Sequence, residues 1–286
     1  MKTKELFATK TVFSFEVFPP KKDMPVETVF PALRELVTLK PDFISVTCGA
    51  GGAGGSLRTV EVASKLKHLG CESVAHLPCI NLDEESLREQ LHVLKREGIE
   101  NILALRGDKT PGIEPKRDFP HASDLIAYIR ELEGSFFNII GACYPEGHQE
   151  AKTLAADIDA LKCKVDAGAN ELISQLFFDN EVFYDFLDAI RRVGIHVPVE
   201  AGIMPVTNKK QIERMVTLCG ATLPRKFQKI LVKYGNDGQA MEDAGIAYAI
   251  DQIVDLLANG VDGIHIYTMN NPRVAKRIAE AVQNLL

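Results

Sequence analysis

A glutamate inside an apolar segment is the residue of this sequence best suited to proton transfer. Glu16 lies in Phe13-Ser-Phe-Glu-Val-Phe-Pro-Pro20, between aromatic and aliphatic side chains. Partial desolvation favours the protonated form of a carboxyl, so Glu16 could donate a proton near neutral pH. The alternative is a carboxylate that pairs with Lys21 or Lys22.

A second segment combines an arginine, a glycine and an aspartate at the end of an apolar run, in Asn101-Ile-Leu-Ala-Leu-Arg-Gly-Asp108. Arg106 and Asp108 could simply pair with each other. Alternatively, Gly107 could let the backbone approach a planar ligand while the two charges contact its polar edges. The residues alone leave both interpretations open.

Two imidazoles also lie near the ends of apolar runs. His76 follows Ser73-Val-Ala, and His148 ends Cys143-Tyr-Pro-Glu-Gly-His148, which also offers an aromatic face. A lone histidine is more often structural than catalytic. Because both histidines fall at the ends of predicted strands, a role in a ligand site gains weight against a purely structural one.

A glycine-rich segment, Gly49-Ala-Gly-Gly-Ala-Gly54-Gly, matches the pattern G-x-G-x-x-G. In a Rossmann domain such glycines admit a pyrophosphate, and an acidic residue roughly 20 positions later binds the ribose. Here the next apolar run ends in His76-Leu-Pro, and the nearby carboxylate, Glu72, precedes that run. We therefore interpret the segment as a loop near a ligand; the alternatives are a Rossmann fold and a turn that needs positive φ.

Eight short apolar runs alternate with helix-like segments, and this alternation predicts an α/β fold, a (β/α)₈ TIM barrel. The chain has 286 residues, above the roughly 250 typical of one barrel, so we expect residues 1–286 to form a single domain. Barrel enzymes place their chemistry at the C-terminal ends of the strands, where the residues above would meet. The predicted strands are Phe13–Glu16, Phe43–Thr47, Ser73–Leu77, Asn101–Leu105, Phe137–Ala142, Glu171–Phe178, Val197–Ile203 and Gly263–Tyr267.

Helix signals fall between these strands, as a barrel requires. Asp83 opens a helix with acidic residues in its first turn, and basic residues precede Gly98 at its end. The segment Thr222–Tyr234 predicts an extra helix ahead of the last unit. Further predicted helices are Ser123–Leu132, His148–Ala167, Asn180–Val193, Asn208–Cys219, Gly238–Asn259 and Asn271–Leu286.

Composition narrows the class of protein. A net charge of −6 argues against nonspecific binding to nucleic acid, which depends on neutralising phosphates. The six cysteines form no CxxC pair and have no histidine at zinc-finger spacing, so we expect reduced thiols and no metal site. The sequence shows neither a secretory signal nor an apolar run of transmembrane length, which predicts a cytoplasmic protein without a membrane partner. We further expect a homo-oligomer.

Motifs along nearly the whole chain resemble those of methylenetetrahydrofolate reductase. The resemblance implies an enzyme that binds flavin adenine dinucleotide (FAD) and reduces methylenetetrahydrofolate to methyltetrahydrofolate, with NADH or NADPH reducing the flavin first. The matching motifs include, beyond the segments around Glu16, Arg106 and His148, Val46-Thr-Cys-Gly-Ala-Gly-Gly, Lys164-Val-Asp-Ala-Gly-Ala-Asn170, Gln175-Leu-Phe-Phe-Asp179, Gly202-Ile-Met-Pro-Val and Ile266-Tyr-Thr-Met-Asn270.

The resemblance also implies roles for individual residues. Glu16 would be the general acid that protonates the folate ring nitrogen, and Asp108 would sit beside the flavin and folate rings. Gln175 and Gln211 would contact the folate. Contacts to the flavin would come from Thr47, His76, Arg106, Gly107, Asp108, Ala122, Tyr144, His148, Asp157 and Lys164.

Some positions depart from the family's pattern. Ala160 and Cys163 stand where some relatives carry a polar and a basic residue, and Met215 and Asn271 replace an aromatic residue and an arginine. We expect altered affinity for the flavin phosphates and the substrate. The chain ends after one barrel, so inhibition through the separate regulatory domain of animal relatives is not expected. The rival function is a flavin-free barrel that binds or transfers folate one-carbon units.

Overall fold

A computed structural model describes residues 1–48, 53–109, 112 and 114–286, without the side chains of residues 53–56 and 218. Eight parallel strands form a closed barrel in which each strand pairs with its neighbours in sequence and β8 pairs with β1. This confirms the predicted (β/α)₈ barrel and overturns the Rossmann alternative, which requires an open sheet. The glycines at 49, 51 and 52 lie outside the described residues.

The strands match the predicted apolar runs closely. The main correction concerns the sixth run, predicted to extend to Phe178, since the strand ends at Ser174. Leu176 and Phe178 are apolar for a different reason: they pack in a separate cluster outside the barrel, where Phe178 stacks on Phe227. The strands are β1 (Val12–Val17), β2 (Phe43–Val46), β3 (Glu72–Pro78), β4 (Asn101–Leu105), β5 (Asn138–Cys143), β6 (Glu171–Ser174), β7 (Val199–Ile203) and β8 (Gly263–Tyr267).

Ten α-helices are found in the described part of the chain, and the extra helix predicted before the last unit is present as α8. The helix predicted from His148 begins only at Leu154, because the Thr153 hydroxyl caps it by accepting from the Ala156 amide at 3.1 Å. None of these helices is both long enough and apolar enough to cross a membrane. The helices are α1 (Phe30–Thr38), α2 (Ala53–His68), α3 (Glu84–Arg96), α4 (Ala122–Glu133), α5 (Leu154–Asp166), α6 (Asn180–Arg192), α7 (Lys209–Cys219), α8 (Arg225–Tyr234), α9 (Gly238–Ala258) and α10 (Pro272–Val282).

The barrel interior is filled at its amino end. A 3₁₀ turn, Thr3–Ala8, lies across that end, and Leu6 and Phe7 pack against the apolar layer inside the barrel. Because this end is filled, ligands can approach the strand ends only from the opposite, carboxyl side. The interior apolar layer consists of Val12, Phe43, Val74, Leu103, Ile140 and Ile173.

Candidate active site

A cavity of about 410 Å³ opens at the carboxyl end of the strands. Its size and its mixture of apolar walls with a few polar groups are typical of small-molecule sites. Most of the predicted site residues meet there. The polar side chains at the cavity include Glu16, His76, Arg106, Asp108, Tyr144, His148, Gln175 and Tyr267, and the apolar ones include Leu103, Leu105, Ile173, Met204 and Met215.

Glu16 lies between two imidazoles. Its Oε2 is 3.5 Å from Nε2 of His76 and 3.8 Å from Nε2 of His265. The ion pairs of the described residues do not include the alternative pairing of Glu16 with Lys21 or Lys22, and both lysines are exposed. Glu16 therefore faces the cavity beside two imidazoles rather than beside a lysine.

His76 is buried beside the cavity, with 8% of its surface exposed. Burial lowers the pKa of its imidazole to about 4, and this outweighs the opposing effect of Glu16. The ring is therefore neutral near neutral pH. Its Nε2 is buried, lies 3.5 Å from Oε2 of Glu16 and has no hydrogen-bond partner in the described part of the chain.

Arg106 pairs with Glu150 rather than with Asp108. The guanidinium donates to both carboxylate oxygens of Glu150, at 2.7 and 3.0 Å, and this bidentate pair raises the pKa of the arginine. The alternative in which Arg106 and Asp108 neutralise each other is therefore wrong. Asp108 lines the cavity next to this ion pair.

The backbone conformation at position 107 requires a glycine. Its φ is +86°, and a Cβ atom there would lie 2.8 Å from Cβ of Pro78. Any other residue would therefore be strained, both by the positive φ and by the close contact of its Cβ with Pro78. The glycine allows β4 to turn closely over the end of β3, which brings Arg106 and Asp108 to the cavity.

An aromatic and a cation are held together behind the cavity wall. Tyr144 and His148 contact each other edge to face at 4.8 Å, and Lys164 lies 5.6 Å above the tyrosine ring. Lys164 donates to the carbonyl of Ala142 at 2.8 Å, and burial lowers its pKa. The Asp157 carboxylate accepts from the His148 amide at 3.2 Å. Lys164 and Asp157 thus position the two rings without lining the cavity themselves.

Besides Asp157 and Lys164, three further predicted site residues lie away from the cavity lining: Thr47, Ala122 and Gln211. Ala122 is the buried first residue of α4. The Gln211 side chain accepts from the amide and the hydroxyl of Thr207, at 3.2 and 3.1 Å. Gln211 nevertheless lies one turn before Met215, which does line the cavity.

Several polar residues of the site were not assigned from sequence. Tyr267 lines the cavity and donates to the Ser174 carbonyl at 2.7 Å. His265, Ser14 and Glu200 are fully buried in the barrel interior close to Glu16. A polar side chain within an otherwise apolar buried strand was the signal that could have identified them, because such groups need partners.

Comparisons with known proteins agree with this fold. A family model described as methylenetetrahydrofolate reductase matches residues 2–283. A solved structure of a protein from Clostridium thermocellum, described as binding two copies of 5-methyl-5,6,7,8-tetrahydrofolic acid, superposes with a TM-score of 0.68 over 99% of this chain and 98% of that one. Its identity is 15%, so this likeness concerns the fold alone.

Sequence relatives are closer. Methylenetetrahydrofolate reductase (NADH) 1 of Arabidopsis thaliana is 38% identical over 275 residues, which cover 91% of this chain and 46% of the plant protein. The chain thus spans about half the length of the plant relatives. The 5,10-methylenetetrahydrofolate reductase of Pectobacterium carotovorum is 37% identical over 270 residues, 94% of this chain and 89% of the relative. This chain belongs to the methylenetetrahydrofolate reductase family.

Proposed function

We propose that this protein reduces methylenetetrahydrofolate to methyltetrahydrofolate, with FAD as its cofactor and NADH or NADPH as the electron donor. Family membership supports the reaction. The observation that carries the mechanism is the position of Glu16, whose carboxyl faces the cavity between two imidazoles.

The cavity fits the ring system of a flavin. Leu103, Leu105 and Ile173 offer apolar walls, and His76 and Gln175 add polar groups to the lining. FAD, when bound, supplies the hydride chemistry between nicotinamide and folate. The residues that would hold it are Thr47, His76, Arg106, Gly107, Asp108, Ala122, Tyr144, His148, Asp157 and Lys164.

Glu16 is proposed as the general acid. It gives its proton to the folate ring nitrogen, the bond from that nitrogen to the bridging carbon breaks, and the five-membered ring opens to an iminium that accepts hydride. His76 does not compete as an acid, because burial keeps it neutral. A positioned general acid contributes typically about 10²–10⁴-fold in rate.

The folate is proposed to lie across the same cavity. Gln175 lines it already, and Asp108 lies at its edge. Gln211 would reach the folate by exchanging its bonds to Thr207 for the substrate, since it shares a helix face with Met215 at spacing i, i+4. One cavity for two substrates supports an alternating reaction, in which NADH or NADPH leaves before folate binds.

The remaining features of the proposal concern the protein as a whole. We propose that residues 1–286 act as one catalytic domain, that the protein is a cytoplasmic homo-oligomer, and that neither nucleic acid nor a membrane is a partner. The formal net charge of −6 argues against a nucleic-acid partner.

The absorbance spectrum of the purified protein tests the proposal. We expect visible flavin absorbance, bleaching on addition of NADH or NADPH, and recovery on addition of methylenetetrahydrofolate. A protein that is colourless, and that takes up no added FAD, would contradict the reductase proposal. If that colourless protein still bound methyltetrahydrofolate, the flavin-free one-carbon barrel would replace it.

A further inference from the structure

A line of buried polar side chains runs through the barrel interior to Glu16. Oε2 of Glu200 lies 2.5 Å from the Ser14 hydroxyl, and the same hydroxyl lies 2.7 Å from Nδ1 of His265. The other ring nitrogen, Nε2, lies 3.4 Å from the Ser45 hydroxyl and 3.8 Å from Oε2 of Glu16. Glu200, Ser14, Ser45 and His265 are all fully buried.

The strand register brings these groups together. Ser14 of β1 pairs with His265 of β8, and Glu200 of β7 pairs with Gly263 of β8. A Cβ atom on Gly263 would lie 2.8 Å from Cγ of Glu200, so the glycine provides the space that the glutamate side chain occupies. The arrangement is therefore part of the closed barrel rather than a feature of a mobile surface.

Burial disfavours the carboxylate form of Glu200. Ser14 is its one hydrogen-bond partner within the described residues, which is too little to stabilise a buried carboxylate. Burial, reinforced by the nearby acidic groups Glu171 and Asp42, raises its pKa well above the usual value. A neutral carboxyl carries an O–H group that can donate a hydrogen bond.

We propose that Glu200 is a positioning residue that acts on Glu16 through Ser14 and His265. The Glu200 O–H donates to Ser14, and the Ser14 O–H donates to Nδ1 of His265. The ring proton is therefore held on Nε2, which faces Glu16. No proton is transferred between these side chains; each of them keeps the proton that it carries.

The proposed role of Glu200 rests on the proposed function of Glu16 as general acid and extends it to the residues behind Glu16. Once Glu16 has given up its proton, it becomes a carboxylate beside the Nε2–H of His265, and an N–H directed at a developing charge lowers the cost of forming it. The 3.8 Å separation is too long for a hydrogen bond, but contacts of catalytic groups often tighten when substrate binds. The opposite tautomer would present a lone pair to the carboxylate and oppose the reaction.

Three variants of the full-length protein test the proposal. Glu200→Gln keeps a donor for Ser14 in its amide group, whereas Glu200→Met removes the donor at similar size. Glu171→Met is the matched control, because Glu171 is equally buried but bonds to Thr3 and Asn138 instead. Nitrogen NMR of the resting protein, labelled at histidine, reports the tautomer of His265. The signal of His265 is identified because it is absent from the spectrum of His265→Gln.

We expect an unprotonated Nδ1 in the parent, in Glu200→Gln and in Glu171→Met, and loss of that signature in Glu200→Met. The rate of flavin reoxidation by methylenetetrahydrofolate should fall about tenfold in Glu200→Met alone, as for the loss of one hydrogen bond of typical strength. If Glu200→Met does not fold, Ser14→Ala replaces it, because that change interrupts the same line.

Three results would overturn the proposal. The first two are a protonated Nδ1 in the parent and an unchanged tautomer in both Glu200→Met and Ser14→Ala. Equal rate losses in Glu200→Met and Glu171→Met would also overturn it, since they would indicate a general effect of packing. Absence of folate reduction in the parent would contradict the proposed function instead, while the NMR measurement would still decide the tautomer.

Discussion

Polar side chains occur at both ends of the barrel interior, but their roles differ between the two ends. At the amino end, Thr3, Asn101, Asn138 and Glu171 bond to one another: the Asn138 amide donates to Glu171 at 2.9 Å and to the Thr3 hydroxyl at 2.8 Å. At the carboxyl end, Glu16, His76 and Arg106 instead line an open cavity. Among the described residues, buried atoms without a hydrogen-bond partner occur at both ends: Nε2 of His76 at the open end, and Oδ1 of Asn138 and Oε2 of Glu171 at the closed end.

Burial acts on both ends with the same physical consequence, because it disfavours the charged form of each group. It raises the pKa of Glu171 to about 7 and lowers the pKa of His76 to about 4. Polar groups at the closed end therefore contribute mainly to the stability of the fold. Those at the open end remain available to a ligand, which is the division expected of a barrel enzyme.

The largest expected effect lies at the open end. Glu16→Gln keeps size and polarity but removes the acidic proton, so the folate step should slow by about 10²–10⁴-fold, or roughly 3–5 kcal/mol of barrier. Flavin reduction by NADH or NADPH should survive, because it does not use that proton. Stopped-flow absorbance of each half-reaction measures both. Reoxidation by folate at close to the parent rate would show that Glu16 is not the acid.

The closed end should instead respond through stability. The pKa of Glu171 is raised from 4.5 to about 7 in the folded protein, so the folded state retains a proton that the unfolded state releases. This contribution to stability is present below pH 4.5 and is lost as pH rises to about 7, by roughly 3 kcal/mol.

Glu171→Gln removes this titration. Urea unfolding at several pH values should therefore show a smaller loss of stability across that window than in the parent, while folate turnover persists. The contribution of His76 is common to both proteins and cancels in the difference. Parallel stability curves for the two proteins would contradict the raised pKa of Glu171.

A smaller effect is expected at the edge of the cavity. Asp108→Asn keeps the shape of the side chain but removes a negative charge that disfavours extra charge on the reduced flavin. The midpoint potential should rise by an amount on the order of 1 kcal/mol, or roughly 20 mV for a two-electron couple. Potentiometry with reference dyes measures the shift. An unchanged potential together with unchanged folate turnover would make Asp108 a surface residue only.

The smallest effect is expected at Gln211. Gln211→Ala should raise the KM for folate by a few-fold, or about 1 kcal/mol as for one hydrogen bond. Asn208→Ala is the control, because Asn208 caps the same helix by accepting from the Gln211 amide at 2.8 Å. That variant should lose about 1 kcal/mol of stability at unchanged KM. Equal KM values in both variants would restrict Gln211 to its bonds with Thr207.

The order of strands and the extra helix could be predicted from the sequence because each depends on local pattern. A strand buried on both faces must be apolar along its length, and eight such runs indicate a closed parallel sheet. The same rule failed at Leu176 and Phe178, which pack in a cluster outside the barrel. An apolar pattern indicates that a segment is buried, but it does not indicate which neighbouring element the segment packs against.

The sequence by itself determined the barrel and the set of polar residues at its strand ends, since these follow from periodicity. Only the tertiary structure decided which of them are partners. Closure of the barrel joins Ser14 to His265 across 251 residues of sequence, and two loops bring Arg106 to Glu150. Such pairings depend on strand register and loop path, and no local pattern encodes the distance between residues so far apart in the chain.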